Sequence, residues 1–165
     1  MTKVMDLMTP RVISIRATDS LSAAAQVMWQ QDCGIVPVLG EDGVKVVGVV
    51  TDRDICMASW SRNLPPSAIA ASDAMSTDLA YCSPNDSVAE AEVLMRSHQI
   101  RRLPVLNSRA ELVGILSIAD ITRAADLAAL SQSPLEVAPE HVIATLATIG
   151  TRPLLAPAGR AASAE

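Results

Sequence analysis

Apolar positions along the chain follow two alternating periods, and the alternation occurs twice. Leu21, Ala24, Ala25 and Met28 fall at i, i+3, i+4 and i+7, the spacing of one helical face. Val88, Ala91, Leu94 and Met95 repeat that face further on, and Ser87-Val88-Ala89-Glu90 has the form of a capping box that starts the second helix. Each helical stretch is preceded by a short strand-like run (12–15 and 79–82) and followed by two apolar strand runs. These lie at 35–39 and 46–50 in the first copy, around the hairpin-type turn Gly40-Glu41-Asp42-Gly43. In the second they lie at 103–106 and 112–116, around Asn107-Ser108-Arg109-Ala110. A closing helix begins near Asp52 and again near Ile118.

The two copies superpose residue by residue. A shift of 67 places Asp6 on Asp73, Met8 on Met75, Thr9 on Ser76, Asp19 on Asp86 and Pro37-Val38-Leu39 on Pro104-Val105-Leu106. One residue is lost in the next turn, after which Val47-Gly48 falls on Val113-Gly114, Thr51 on Ser117 and Asp54-Ile55 on Asp120-Ile121. The unit is therefore β-α-β-β-α. Two helices on one face of a three-stranded sheet leave the other face in need of a partner, and two tandem units can supply it to each other. This predicts an α+β (α/β), pseudo-symmetric fold. Its parts are a first repeat over 1–60, a linker over 61–72 containing Pro65-Pro66, a second repeat over 73–130, a helical extension over 131–150 and a disordered tail over 151–165. In the extension, Pro139 and Gly150 bracket a short helix with Val142, Ile143, Leu146 and Ile149 as its apolar face. Packing on its own module and docking on a partner both suit that face.

Composition narrows the function. Half of the 165 residues are hydrophobic, yet there is no Phe, one Tyr and two Trp, so the core must be aliphatic. Thirteen basic against eighteen acidic residues give a formal charge of −5, with no basic block or aromatic stacking set for nucleic acid. The three cysteines are scattered within apolar runs, which suits small buried thiols rather than a zinc site. The first ten residues do not read as a signal peptide, and no apolar run is long enough to span a bilayer, so a cytoplasmic protein without a membrane role is expected. His98 and His141 have no nucleophile or second ligand beside them in sequence, and neither a nucleophile elbow nor a P-loop is present.

The chemistry-bearing motif closes the third strand of each copy: Gly48-Val49-Val50-Thr51-Asp52-Arg53-Asp54 and Gly114-Ile115-Leu116-Ser117-Ile118-Ala119-Asp120. The hydroxyl falls at a helix N-terminus, where free N–H groups and the dipole favour an anion. The Asp three residues on accepts hydrogen bonds only, which suits a ribose diol. The same pattern is also an ordinary helix cap that needs no ligand. A second feature is Ile100-Arg101-Arg102-Leu103-Pro104-Val105, two arginines entering a strand that must send them to opposite faces. Arg is well shaped for phosphate, although a solvated strand edge would also explain the pair. Gly34 and Ile35 hold the equivalent first-copy positions.

These paired motifs resemble CBS (cystathionine-β-synthase) domains, and the pair resembles a Bateman module of the small stand-alone bacterial kind, over roughly residues 4–123. The resemblance implies two clefts between the repeats that bind AMP, ADP, ATP or another adenosyl compound such as S-adenosylmethionine or NAD. No cofactor is required and no catalysis is implied. Carried over, one cleft uses Ser117 for phosphate and Asp120 for ribose, with Arg101 and Arg102 near the phosphates and Val12, Ile13, Ile35 and Val36 around the adenine. The other uses Thr51 and Asp54, with Arg53 as its basic residue and Leu79, Ala80 and Ile100 around the base. The arginine pair makes the Asp120 cleft the expected tighter site. A homodimer and an unidentified regulated partner protein also follow from the resemblance. The competing reading is a structural or dimerisation protein whose clefts are empty relics.

Overall fold

The structure is a computed structural model that describes residues 1–131 and 137–151. The chain opens with one helical turn, α1 (Val4–Leu7), and two short strands, β1 (Thr9–Pro10) and β2 (Ile15–Arg16). The first repeat continues with α2 (Leu21–Gln31), β3 (Ile35–Leu39), β4 (Val46–Thr51) and α3 (Asp52–Arg62). After two 3-10 turns come α4 (Val88–His98), β5 (Arg102–Leu106), β6 (Leu112–Ser117), α5 (Ile118–Ser131) and α6 (Pro139–Gly150). Left-handed residues at equivalent places end the two central helices: Asp32 after α2 and Gln99 after α4.

The leading strand of each repeat is shorter than its apolar run. Only Ile15–Arg16 pairs with β3, in parallel, and in the second repeat the strand shrinks to a single bridge between Cys82 and Val105. Val12, Ile13, Leu79 and Ala80 leave their sheets before pairing begins and line the space between repeats.

What joins the halves is an exchange of their leading segments. β1 crosses over and pairs with β6 of the second repeat, Thr9 opposite Ile115 and Pro10 opposite Gly114. Ser76, the equivalent of Thr9, bridges to Val49 in β4 of the first. Further upstream, Val4 N–H donates to the Asp86 carbonyl and Val88 N–H to that of Thr2. The mirror-image bonds run from Ala71 N–H to Asp19 and from Leu21 N–H to Ile69. Each core therefore contains residues from the other half's entry segment. Val4 is buried with Val88, Ala91, Met95, Leu103, Leu116 and Ile121, while Ile69 and Ala71 are buried with Leu21, Ala24, Val36, Val38 and Val50. Each large aliphatic so buried contributes about 1.5–3 kcal/mol, so the two cores cannot be separated without exposing both. Ile69 and Ala71, within the span read as linker, are core residues of the first repeat.

The glycine of each strand-closing motif lies where the exchanged segment passes. A Cβ on Gly48 would come within 2.7 Å of the Ser76 carbonyl oxygen, and one on Gly114 within 2.9 Å of the Thr9 carbonyl oxygen.

α6 packs on α4 and α5, within its own module. Its buried face is Val142, Thr145 and, in part, Ile149, whereas Ile143 and Leu146 are exposed. The apolar stripe read from sequence is thus rotated, because a polar contact decides the docking. Thr145 accepts a hydrogen bond from Arg96 Nη1 at 2.7 Å and faces the buried Glu92, both on α4. Residues 132–136 of the expected extension lie outside the described residues. Of the expected tail, Thr151 still caps α6, and 152–165 lie outside the described residues. Of the cysteines, Cys82 is buried and Cys33 partly so, but Cys56 on α3 is exposed, contrary to the expectation of three buried thiols. Among the described residues no helix is long and apolar enough to cross a membrane.

Candidate functional site

Each motif hydroxyl is the N-cap of its closing helix. Thr51 has extended backbone angles, and its Oγ1 accepts from Asp54 N–H at 3.3 Å while Asp54 Oδ2 accepts from Thr51 N–H at 2.8 Å and from its hydroxyl at 2.7 Å. Ser117 and Asp120 make the same three contacts. The capping arrangement is therefore realised in both copies. It directs the hydroxyl's single proton to the carboxylate and leaves the outer oxygen, Oδ1, facing away from the cap. In Asp120 that oxygen accepts from Arg123 Nη1 at 3.3 Å.

Both boxes open into clefts between the repeats. The first is a cavity of about 670 Å³ that joins Thr51, Arg53 and Asp54 of the first repeat to Leu79, Ala80, Ile100, Arg101 and Arg102 of the second. The second, about 320 Å³, joins Ser117 and Asp120 to Val12, Ile13, Ile35 and Arg102. Terminal motif from one repeat and entry segment from the other meet each time, because the exchange of leading segments carries those segments across the seam.

Three placements differ from the sequence expectation. Arg101 lines the Thr51/Asp54 cleft and not the Ser117/Asp120 one. Arg102 reaches both. Val36 is fully buried in the first core, since strand alternation turns it away from the cleft that Ile35 faces. With Arg101 in the Thr51/Asp54 cleft and Arg102 at both, the arginine pair does not single out the Asp120 site as the tighter one.

Other cleft residues escaped the sequence reading. Arg11, Asp32 and Arg123 line the Ser117/Asp120 cleft, and Asp52, Asp78 and His98 line the other. The repeat alignment held the signal for some of these, since Arg11 stands at the position of Asp78 and Asp32 at that of Gln99. The Ser117/Asp120 cleft thus holds three arginines against two aspartates, and the Thr51/Asp54 cleft three arginines against three aspartates and a histidine. Both can take an anionic group beside a hydrogen-bonding polar one. Among the described residues no cluster of His, Cys, Asp and Glu could hold a metal ion.

The CBS domain profile matches residues 4–61 and 71–126, the two repeats just described. This chain belongs to the CBS domain family. It is 37% identical over 123 residues to Hypoxic response protein 1 of Mycobacterium tuberculosis, covering 74% of this chain and 85% of that one. It is also 37% identical over 121 residues to the CBS domain-containing protein YhcV of Bacillus subtilis, covering 73% and 84%. Among solved structures, that of Hypoxic Response Protein I with two coordinated zinc ions superposes with a TM-score of 0.67 at 35% identity, covering 74% of this chain and 98% of that one. CBSX2 in complex with AMP superposes at 0.64 with 25% identity, covering 76% and 96%. The fold is the Bateman arrangement of a CBS pair.

Proposed function

We propose that this CBS pair is a non-catalytic sensor that binds an adenine nucleotide, AMP, ADP or ATP, in its inter-repeat clefts and reports the ligand's level to a partner protein. The observation that carries this reading is the makeup of each cleft. A helix-terminal hydroxyl–carboxylate pair from one repeat faces an apolar pair from the other, with arginines alongside. Asp54 and Asp120 would hold ribose. The helix N-termini at Thr51 and Ser117 would hold phosphate with Arg53, Arg101 and Arg102, and Leu79, Ala80 and Ile100 or Val12, Ile13 and Ile35 would flank the base. The AMP complex of the similarly folded CBSX2 supports the ligand class. A cytoplasmic homodimer fits this role, and the exposed Trp29 and Trp60 on α2 and α3 suit an association surface.

The test is calorimetric titration and thermal melting with AMP, ADP, ATP, S-adenosylmethionine and NAD. A ligand at 100 times its Kd adds about 2.7 kcal/mol of stability. Asp54→Asn and Asp120→Asn should weaken binding, and melting of the free protein reads separately the modest loss at each helix cap, about 0.5–1 kcal/mol. The second reading, a structural module with relic clefts, is favoured by the self-satisfied caps at Thr51 and Ser117. The absence of a shift with all five compounds would establish it.

A further inference from the structure

Ile35 and Arg102 are equivalent under the 67-residue repeat, and each lines both clefts. Ile35 lies opposite Thr51 across β3 and β4, and Arg102 lies opposite Ser117 across β5 and β6. The seam between the two candidate sites is therefore built from one apolar residue and one long cation. The Arg102 side chain also passes the bare backbone of Gly34. Its Nη1 lies 3.4 Å from where a Cβ would stand, with Asp52 Oδ2 also 3.4 Å from that point. Arg101, the counterpart of Gly34, serves the Thr51/Asp54 cleft alone.

We infer that Arg102 is a single phosphate-binding cation shared by the two clefts, so that a phosphate-bearing ligand in one weakens binding of a second in the other. This rests on the nucleotide reading above. One guanidinium cannot make its paired, planar contacts to two phosphates in separate clefts. The first ligand fixes it, and the second then meets a cleft short of one cation and beside an added negative charge. Coupling of this kind is reciprocal, so either cleft filled first disfavours the other. The deficit is the size of one hydrogen bond to a charged group, about ten- to hundredfold in Kd. A ligand without phosphate has no claim on Arg102 and fills the clefts independently.

Calorimetric titration of the full chain with AMP and with adenosine tests this, alongside Arg102→Met and the single-cleft backgrounds Asp54→Asn and Asp120→Asn. Arg102 is exposed, and matching melting curves for Arg102→Met confirm that the fold is kept. The expected result is two AMP steps whose separation exceeds that of the two adenosine steps by about ten- to hundredfold, and in Arg102→Met AMP steps of weaker affinity whose separation falls back to the adenosine value. In each single-cleft background, Arg102→Met should weaken the remaining site. Equal, independent AMP steps in the unaltered protein, or an effect of Arg102→Met on one cleft only, would overturn the sharing while leaving the nucleotide reading intact. Failure to bind AMP and adenosine, together with ADP and ATP in the titrations above, would overturn both.

Discussion

Ala110 occupies the left-handed region at φ +61°, at the turn position where the first repeat has Gly43 at φ +65°. Each turn is braced by one polar side chain, but from a different position, since Asn107 stands where the first repeat has Gly40. Asp42 Oδ1 accepts from Val44 and Lys45 N–H, and Asn107 Oδ1 accepts from Arg109 and Glu111 N–H. The second repeat keeps this turn at the cost of a Cβ in a region where L-residues are strained by about 1–2 kcal/mol. Ala110→Gly should therefore raise stability in chemical denaturation by about 0.5–1 kcal/mol, after the greater freedom of glycine in the unfolded chain is subtracted. Gly43→Ala should lower it by a similar amount. If Ala110→Gly destabilises, the turn conformation is not the one described.

Gly48 and Gly114 owe their place in the motif to the exchanged segments rather than to the caps they precede. A side chain at Gly48 would press on the Ser76 backbone, which cannot move without breaking the Val49–Ser76 hydrogen bonds of 3.1 and 2.9 Å. Gly48→Val and Gly114→Val should each cost about 1–3 kcal/mol or more by overpacking the seam. Hydrogen exchange should show the loss of protection at Ser76 for the former and around Thr9 for the latter. Protection lost mainly in α3 or α5 would instead place the role of these glycines in capping.

The repeat, the helices and the central hairpins were legible in the sequence because each rests on local pattern: period, cap and turn residue. The strand-closing hydroxyls and acids were legible from the repeated motif itself, whereas the opposing Val12, Ile13, Leu79 and Ala80 followed only from the family likeness. Two things were hidden. The crossing of residues 2–9 and 69–76 to the opposite half has no local signature, since Val4 and Ile69 look like any short apolar run until their hydrogen-bond partners are known. The direction of Arg101 and Arg102 was the other, because β5 begins only at Arg102, so alternation does not govern Arg101, and both line the Thr51/Asp54 cleft. The docking face of α6 was misread for a related reason. Thr145 is buried because Glu92 and Arg96 await it, while the first-copy equivalents Ala25 and Trp29 offer no such partner.

Thiol reactivity should divide along exposure. Cys56 is exposed, whereas Cys82 is buried, with loss of hydration and the nearby Asp86 charge pushing its thiol up to about 12. The thiolate is the reactive species, so iodoacetamide at pH 8 should modify Cys56 first, Cys33 later, and Cys82 only on unfolding. Peptide mass spectrometry over a time course reads the order. Early labelling of Cys82 would contradict its place beside Val105 in the second core.

The α4–α6 contact makes stability depend on pH in a direction that can be worked out. Glu92 is 3% exposed, and burial raises its carboxyl above the ordinary 4.5, opposed by the Thr145 hydrogen bond and by the charges of Arg96 and His141. The Thr145 hydroxyl accepts from Arg96 and shares its proton between Glu92 Oε1 at 3.2 Å and the His141 carbonyl at 2.9 Å. Because the folded state holds the Glu92 proton more tightly than the unfolded one, this group's contribution is fully present below pH 4.5. It is lost as pH climbs through the raised value. Glu92→Gln keeps an acceptor for Thr145 but has no proton to lose. The variant and the unaltered protein should thus have similar relative stability at low pH, with a gap opening in favour of the variant as pH rises. Melting curves from pH 4 to 8 measure that gap. A constant difference across the range would mean that Glu92 does not titrate differently on folding, and a gap that closes with pH would reverse the sign and point to a carboxylate stabilised by Arg96.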